Sequence, residues 1–572
     1  MESSKSKRVD FSELTKIENN FQILKKYQLD KPFIVNIFQG LKNMRSASIK
    51  SEPIGDIFER FLKKKHRKKF GQFYTPVEIV DYIVNFLDVK KNSKILDLSC
   101  GCGIFLIKAY ERLKNKFGDE SLIKNIFGVE LNKSAAEMTK VNLWLRTSGK
   151  EEFLDKINKN IKIGNSIRQS KFDWESEFKP VFEDGGFDFI VGNPPYVTLK
   201  KGKDYNPKES IYSEIIDGVV NSATLMIGKS LELLKDGGVL GFLLPKSLTR
   251  VKSYKRLREY LLNNTAILNI FELGQMFKDV RGEQIILLIR KDRNRDRILN
   301  NKIKITTFTN KNKKLSEQSS IHIPQKNFFN FDNFLVLNSK KLYDLAMRLI
   351  KKYTPLNRFS RSEIFRGIPI GAKSRFIYGR EGKNLGKVLR GDSIDKYKIK
   401  YTLYADINKI KEKFNAHLNK LLRPKIVLQN IFSSESGIKA SYDEEGLVTL
   451  DTVTNILVDK IDPEFILALL NSKLINFFII YVLYNKSVLT MHTDKAYMGK
   501  IPIIEPAPRI KREIIDLVNE IIRLKKLNKE TKINNLYGEI DDKVYSLYKI
   551  KKEERELIEN SLKEVMSKKT YW

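Results

Sequence analysis

The 572-residue sequence is poor in the residues that build metal centres and disulfide scaffolds. It contains two cysteines and four histidines. Cys100 and Cys102 are separated by a single residue, which is too close for an ordinary disulfide or a zinc pair. The histidines are scattered and form no H-E-x-x-H motif. These shortages argue against a disulfide-stabilised secreted protein and against a histidine-built catalytic metal site, and they suit a reducing cytosol.

Long apolar runs are also missing. No stretch of about 18 apolar residues is present that could cross a bilayer. The N-terminal "MESSKSKRVDF" lacks the apolar core of a signal peptide. We therefore expect a cytoplasmic protein with no membrane partner. Hydrophobic residues still make up 41% of the chain, which is enough for a globular protein, and the length predicts two or more domains.

Acidic residues are too few to balance the basic ones. The chain has 105 lysines and arginines against 69 aspartates and glutamates, a formal net charge of +36. Such a surplus favours a polyanionic partner, because basic side chains that neutralise phosphates release the counterions condensed on nucleic acid. The alternative is a lysine-rich composition that reflects the proteome as a whole and no particular partner.

The pattern of elements predicts an α/β fold over residues 71–300. Short β-branched runs such as "KILDLSC", "NIFGVEL", "FDFIVGN" and "VLGFLLP" alternate with helical stretches. This alternation indicates a largely parallel sheet with helices on both faces. The other segments are expected to be an N-terminal helical segment at 1–70, a linker or peripheral strands at 301–335, a mixed second domain at 336–507 and a helical tail at 508–572.

A glycine turn follows the first predicted strand. In "ILDLSCGCGIFL" the strand ends at Asp97, and a turn with Gly101 and Gly103 opens a helix. The glycines allow a ligand to approach the backbone, and the start of the helix offers free N–H groups. Asp97 would repel a pyrophosphate, so the turn favours a cationic or amino-bearing cofactor.

The next two strand ends carry polar residues that could complete a cofactor site. Glu130 in "FGVEL" can accept both hydroxyls of a ribose, and Asn165 in "KIGNSI" can recognise an adenine edge. The alternatives are a helix N-terminal charge at Glu130 and an ordinary turn residue at Asn165. Adenine, ribose and a charged amino-acid end together describe S-adenosylmethionine.

The stretch "FDFIVGNPPYV" ends a buried strand at a stiff turn, because two prolines remove two backbone donors. The Asn193 side-chain oxygen and the Pro194 carbonyl would accept the hydrogens of an exocyclic amine and free its lone pair, without a metal or a general base. Pro195 holds the turn rigid, and stacking on Tyr196 would contribute about 1–3 kcal/mol. The alternative is a Pro-Pro turn that only caps the strand.

Together these motifs resemble the amino-group DNA methyltransferases of the N6-adenine kind, in their TaqI-like and Eco57I-like branch. "FGQFYTPVEIVDYIV" is similar to the family's N-terminal cofactor motif, "LDLSCGCGIFL" to its glycine-loop motif, "GVEL" to its acidic motif and "GNPPYV" to its catalytic motif. Their order is that of the gamma arrangement. The resemblance implies a Rossmann-like S-adenosylmethionine-dependent methyltransferase domain with a mainly parallel seven-stranded sheet, a mixed α+β target-recognition domain and C-terminal helices.

The resemblance also implies roles for individual residues. "ELGQMFKDVRGEQIILLIRK" is similar to the motif that supplies a second aromatic, here Phe277, to the adenine face opposite Tyr196. Met226 stands in place of the family's aromatic beside the cofactor adenine, and Asn165 stands where relatives often have Asp. The implied catalytic residues are Asn193, Pro194, Pro195, Tyr196 and Phe277. The implied cofactor-binding residues are Tyr74, Thr75, Pro76, Asp97, Ser99, Gly101, Gly103, Phe105, Glu130, Asn165 and Met226.

The expected function is site-specific transfer of a methyl group from S-adenosylmethionine to N6 of an adenine flipped out of duplex DNA. The protein would be a monomer on DNA and the modification component of a restriction-modification system. The endonuclease of such a system would be a separate chain, and the alternative is a methyltransferase that acts without one. The alternatives are N4-cytosine methylation, RNA or protein-glutamine methylation on a similar motif, and a DNA-binding modification or specificity subunit that acts only within a larger restriction complex.

Overall fold

A computed structural model of the chain describes residues 75–566, apart from short gaps. The gaps are 149, 210, 275–281, 312–313, 360–361, 372–373, 375, 460, 488 and 530–531. The expected helical segment at 1–70 and two expected site residues, Tyr74 and Phe277, lie outside the described residues. The chain divides into two compact units, Met1–Asn338 and Ser339–Trp572, called the first and second unit below.

The first unit is built on a mixed sheet that has nine strands in the part of the chain described. The strands are β1 (Ile95–Asp97), β2 (Ile126–Glu130), β3 (Ile161–Ile163), β4 (Phe187–Gly192), β5 (Leu234–Pro245), β6 (Thr265–Gly274), β7 (Gln284–Lys291), β8 (Lys302–Lys311) and β9 (Lys314–Pro324). Their order across the sheet is β9-β8-β6-β7-β5-β4-β1-β2-β3. Neighbours from β3 to β5 pair in parallel, whereas β7 runs antiparallel to both β5 and β6.

Helices connect the strands of the first unit. The longer ones are α1 (Val77–Phe86), α2 (Ile104–Phe117), α3 (Lys133–Leu145), α4 (Glu151–Asn160), α5 (Ser222–Leu233) and α6 (Lys255–Asn264). The shorter ones are Glu120–Asn125, Gln169–Lys171, Trp174–Glu177, Lys179–Glu183, Tyr212–Ile215, Lys246–Thr249, Lys252–Tyr254, Arg295–Asn300 and Gln325–Asn330. The short strands Thr198–Leu199 and Val220–Asn221 pair with each other. In α2, Phe105, Ala109 and Leu113 recur at the helical period and are buried, so this amphipathic face packs into the core.

The segment 301–335, expected as a linker or as peripheral strands, contains β8 and β9 at one edge of the sheet and extends it beyond the seven strands expected. β8 is parallel to β6 and antiparallel to β9. Ile303 pairs with Ile323, and Ile305 pairs with Ile321. Ile303, Ile305 and Ile323 are buried, so the segment has the period-two pattern of a half-buried strand pair. Its many lysine, asparagine and serine residues obscured this pattern in the sequence.

The second unit mixes small sheets with helices. One antiparallel sheet contains, in order, Glu363–Arg366, Val453–Leu457, Lys425–Gln429 and Ala440–Asp443, and another contains Ile377–Tyr378, Leu403–Asp406, Leu385–Leu389 and Val448–Thr449. Two-residue strands pair Thr354–Pro355 with Pro502–Ile503, Ile394–Asp395 with Lys398–Ile399, and Ile431–Phe432 with Met491–His492. The helices are Lys340–Lys352, Leu356–Phe359, Gly391–Ser393, Ile407–Leu421, Pro463–Asn471, Lys473–Phe477, Phe478–Leu483, Lys495–Met498, Pro508–Lys526, Ile533–Leu547 and Lys552–Met566.

Two consecutive helical segments of the second unit are strongly apolar. Over the described residues no single helix has the length and apolarity to cross a membrane. The helical segments Pro463–Asn471 and Lys473–Leu483 meet at a bend of 59° and reach that length and apolarity only when they are taken together. The large apolar side chains of this pair, from Phe465 to Leu483, are buried within the protein.

Candidate functional site

The carboxyl ends of β1, β2 and β4 open into one cavity of about 680 Å³. Asp97, Glu130 and Asn193 reach the same edge because these strands are parallel neighbours. The expected site residues that line the cavity are Thr75, Asp97, Ser99, Gly101, Phe105, Glu130, Asn165, Asn193, Pro195 and Met226. The described residues Pro76, Gly103, Pro194 and Tyr196 do not line it directly.

The glycine turn after β1 is held tightly against α3. Gly103 has a φ of +90° at the start of α2, and its N–H donates to the Cys100 carbonyl at 2.7 Å. A Cβ at Gly103 would lie 2.8 Å from Thr139 Cγ2, so both the backbone conformation and the space require glycine. Thr139 Oγ1 also donates to the Gly101 carbonyl at 2.7 Å. The turn is therefore fixed before any ligand arrives.

Two buried carboxyl groups stand on either side of this turn. Glu130 accepts the N–H of Gly101 at 3.0 Å and the N–H of Asn132 at 2.8 Å, and Asp97 accepts the N–H of Ser99 at 2.9 Å. Burial raises the pKa of Asp97 to about 8, opposed by the Ser99 N–H and assisted by the charge of Glu130. Burial also raises the pKa of Glu130.

Among the residues that the structure describes, these two carboxyl groups have no cationic partner. No ion pair joins either Asp97 or Glu130 to a lysine or arginine of the described ranges. A carboxyl group beside another negative charge in a buried site favours a ligand that brings a positive charge or hydroxyl donors. The cavity therefore suits a ligand that combines a cationic group with hydroxyls.

Asn165 closes a turn at the far side of the cavity. Its Oδ1 accepts the N–H groups of Ile167 at 3.1 Å and Arg168 at 3.2 Å. The oxygen therefore has the role of an ordinary turn residue, which was the alternative to adenine recognition. The Nδ2 group is what the side chain can offer to the acceptor edge of a base. Met226 of α5, which is 5% exposed, lines the same cavity and supplies apolar surface.

The turn after β4 presents Asn193 with both ends of its amide in hydrogen bonds. Nδ2 donates to Thr75 Oγ1 at 3.0 Å, and Oδ1 accepts from the Tyr196 hydroxyl at 2.8 Å. The same hydroxyl lies 2.9 Å from the Leu243 carbonyl of β5. Burial raises the pKa of Tyr196, so its hydroxyl keeps its hydrogen at neutral pH. Gly192 just before this turn packs on Asp97, because a Cβ there would lie 2.8 Å from Asp97 Oδ1.

Further residues of the site were missed by the sequence. Ser222, the first residue of α5, donates to the Pro195 carbonyl and accepts the Val197 N–H at 3.0 Å, so it fixes the end of the turn. Arg168 Nη1 donates to the Lys203 carbonyl at 2.9 Å and draws the loop after the turn onto the cavity wall. The helix-capping pair at 221–222 was a signal for Ser222, whereas no sequence pattern pointed to Arg168.

The chain matches two family models. Residues 50–333 match N-6 DNA Methylase, and residues 386–503 match the TaqI-like C-terminal specificity domain. Together the two matches cover more than two thirds of the chain.

Two curated relatives illustrate the likeness. The chain is 26% identical over 402 residues to the Type II restriction enzyme and methyltransferase RM.Eco57I of Escherichia coli. This alignment covers 57% of this chain and 40% of that protein. The chain is also 28% identical over 276 residues to the Type I restriction enzyme MjaVII methylase subunit of Methanocaldococcus jannaschii. This alignment covers 44% of this chain and 42% of that protein. The matched regions span less than half the length of both relatives.

A solved structure shares the fold. The Type IIL restriction-modification enzyme MmeI, solved in complex with DNA, has a TM-score of 0.55 and 13% sequence identity, covering 93% of this chain and 78% of that one. The two sequence matches and this fold agree with the order of motifs along the chain. The chain therefore carries an N-6 DNA methylase domain at residues 50–333, followed by a TaqI-like specificity domain at residues 386–503.

Proposed function

We propose that the protein is a site-specific DNA methyltransferase that uses S-adenosylmethionine to methylate N6 of adenine. The observation that carries the proposal is the Asn193 amide, held by Thr75 and Tyr196 at the wall of a cavity that is also lined by two buried carboxyl groups. This arrangement brings an acceptor for an amine next to a site for a cationic nucleoside. The family match favours adenine over cytosine as the base.

The cavity fits the proposed cofactor in size and in chemistry. Its volume of about 680 Å³ lies in the range of small-molecule sites. Glu130 would accept the ribose hydroxyls, Asp97 would face the amino end, and Asn165 with Met226 would contact the adenine. When bound, S-adenosylmethionine would supply an electrophilic methyl group on a sulfonium, which leaves as a neutral thioether.

Asn193 and Pro194 would prepare the substrate amine. The Asn193 Oδ1 and the Pro194 carbonyl accept the two hydrogens of N6, which draws the nitrogen toward tetrahedral geometry and directs its lone pair at the methyl carbon. As the new N–C bond forms, one N6 proton is lost to solvent. The turn is preorganised by Pro195 and Ser222, so little rearrangement is needed at the moment of reaction.

The target adenine would be flipped from the duplex to reach this cavity. The ring of Tyr196 would stack on one face of the base, and Phe277, by its resemblance to the family motif, on the other. Each stacking contact contributes about 1–3 kcal/mol, which offsets the unpairing cost of a few kcal/mol. Within the nine-stranded sheet, the order β3-β2-β1-β4-β5-β7-β6 with β7 antiparallel supports a seven-stranded Rossmann-like methyltransferase core.

The second unit would read the DNA sequence. The specificity-domain match at 386–503 supports target recognition by residues 336–507, followed by the helical tail at 508–572. The net charge of +36 and the DNA in the MmeI complex support duplex DNA as the partner. The restriction-system names of the relatives support a cognate endonuclease as a further partner, and the protein would work in the cytoplasm. The match to a type I methylase subunit favours, as a second candidate, action within a larger restriction complex.

The test is product analysis with the purified chain alone. Wild-type protein is incubated with duplex DNA and methyl-labelled S-adenosylmethionine, and the DNA is digested to nucleosides. We expect labelled N6-methyladenine, and a loss of at least about a hundredfold in Asn193→Ala, because the amide oxygen acts on the transition state. Labelled N4-methylcytosine, or full activity in Asn193→Ala, would contradict the proposal.

A further inference from the structure

The direction in which the Asn193 amide faces decides what the site offers to an amine. The amide oxygen accepts hydrogen bonds, and the NH₂ group donates them. Only the oxygen can accept a hydrogen from N6, whereas a rotated amide would bring two donors against the nitrogen that must react. Because an amide turned by 180° has nearly the same shape, packing alone does not select the productive orientation.

Thr75 contacts the nitrogen end of this amide. Its Oγ1 accepts the hydrogen bond from Asn193 Nδ2 at 3.0 Å. At the oxygen end, the Tyr196 hydroxyl has one hydrogen and two acceptors within reach, Asn193 Oδ1 at 2.8 Å and the Leu243 carbonyl at 2.9 Å. The Tyr196 hydroxyl can therefore donate its hydrogen to the Leu243 carbonyl when the amine of the substrate donates to Asn193 Oδ1. The hydrogen bond from Asn193 Nδ2 to Thr75 does not compete with the substrate, because the amine of the substrate bonds to Oδ1.

Thr75 is fixed by the core of the first unit. Thr75 is 4% exposed and directly precedes Pro76. The Pro76 carbonyl accepts the N–H groups of Ile79 and Val80 at the start of α1. The same helix packs on β5 through Ile83, because a Cβ on Gly241 would lie 2.9 Å from Ile83 Cγ2. The packing of α1 on the sheet therefore brings Thr75 to a partner 118 positions later in the chain.

We infer that Thr75 is a positioning residue for Asn193. Its hydroxyl anchors the amide through Nδ2, and in this orientation the amide oxygen is left for the amine of the substrate. The inference rests on the proposed function. It gives Thr75 a role that acts through Asn193, in place of the direct cofactor contact that its position in the N-terminal motif implies.

Two variants separate the hydroxyl from the rest of the side chain. Thr75→Val replaces the hydroxyl by a methyl group of similar size, and Thr75→Ser keeps the hydroxyl and loses the methyl group. Methyl transfer to duplex DNA is measured in a single turnover at saturating S-adenosylmethionine, and the Kd of S-adenosylhomocysteine is measured by calorimetry on the same proteins. Thermal unfolding checks the fold, and Thr75→Ala replaces Thr75→Val if the valine variant does not fold.

The expected result is a split between rate and affinity. We expect the transfer rate of Thr75→Val to fall about tenfold to a hundredfold, because a misdirected amide loses part of a transition-state interaction. Thr75→Ser should stay within about threefold of wild type, and all three proteins should bind S-adenosylhomocysteine with Kd values within about threefold. An unchanged rate in Thr75→Val, a loss confined to Kd, or an equal loss in Thr75→Ser would overturn the inference.

Asn193→Asp provides a second, independent arm. The two oxygens of a carboxylate are equivalent, so its orientation no longer needs a partner at Thr75. We expect the Thr75→Val change to cost less than about threefold in rate when it is added to Asn193→Asp, since a positioning effect is coupled to its target. An undiminished loss in that background would contradict the inference. A wild-type protein that forms no N6-methyladenine overturns the proposed function itself, which is a different result.

Discussion

Two carboxyl groups give the cavity its electrostatic character at the scale of single residues. Asp97 is 2% exposed and Glu130 is 5% exposed. Their charges oppose each other, and burial makes the ionised form of each costly. In the protein without ligand, Asp97 therefore carries a proton at neutral pH. A ligand that places a positive charge beside it would favour the ionised form.

This gives a prediction for the pH dependence of cofactor binding. Because the pKa of Asp97 is about 8 without ligand and falls when a cation binds, binding at pH 7 releases a proton. We expect the Kd of S-adenosylhomocysteine to decrease by up to about tenfold per pH unit as pH rises from about 6 to about 8. Calorimetry in two buffers of different ionisation enthalpy measures both the Kd and the released proton.

Asp97→Asn is the matched control, because asparagine mimics the protonated acid in shape. In this variant the proton release and most of the pH dependence should disappear. A pH dependence equal to that of wild type would show that another group titrates.

At the scale of elements, α2 offers two glycines in similar backbone conformations and different surroundings. Gly103 at its start has a φ of +90° and faces Thr139, whereas Gly118 at its end has a φ of +65° with no atom within 4 Å of the place that a Cβ would take. Only the first belongs to the turn that forms the cavity. Substitutions at these two glycines therefore distinguish the cost of a left-handed backbone from the loss of space at the cavity.

We predict different effects for alanine at these two positions. Gly118→Ala should cost about 1 kcal/mol of stability and leave the Kd of S-adenosylhomocysteine unchanged, because only the left-handed backbone is penalised. Gly103→Ala should cost more and raise that Kd at least about tenfold, since the new methyl group displaces the turn from Thr139. Thermal unfolding and calorimetry measure the two effects, and equal effects of the two variants on Kd would contradict the role given to the turn.

The elements also show what the sequence could and could not predict. The sequence predicted that Asp97, Glu130 and Asn193 lie together, because each ends a strand in a recognisable pattern and parallel strands bring such ends together, and all three line the cavity. The bond between Thr75 and Asn193 could not be found, because it depends on how α1 packs on the sheet. The segment that forms β8 and β9 was expected as either a linker or peripheral strands, because its polar composition concealed the alternating isoleucines at 303, 305 and 323.

At the scale of the whole molecule, two units divide the proposed work. The first unit contains the described cavity and the N-6 DNA Methylase match, and the second contains the TaqI-like specificity match. In the proposed function, the net charge of +36 would supply a general attraction to DNA that carries no sequence information. Specificity would then come from base contacts of the second unit, and the sequence does not identify the residues that make them.

The most direct measurement is the sequencing of genomic DNA from cells without adenine methylation that express this chain alone. We predict N6-methyladenine at one recurring sequence, and no such mark in cells that express Asn193→Ala at the same level. The absence of methylated adenine, methylation without any recurring sequence, or marks that persist with Asn193→Ala would contradict the proposed function.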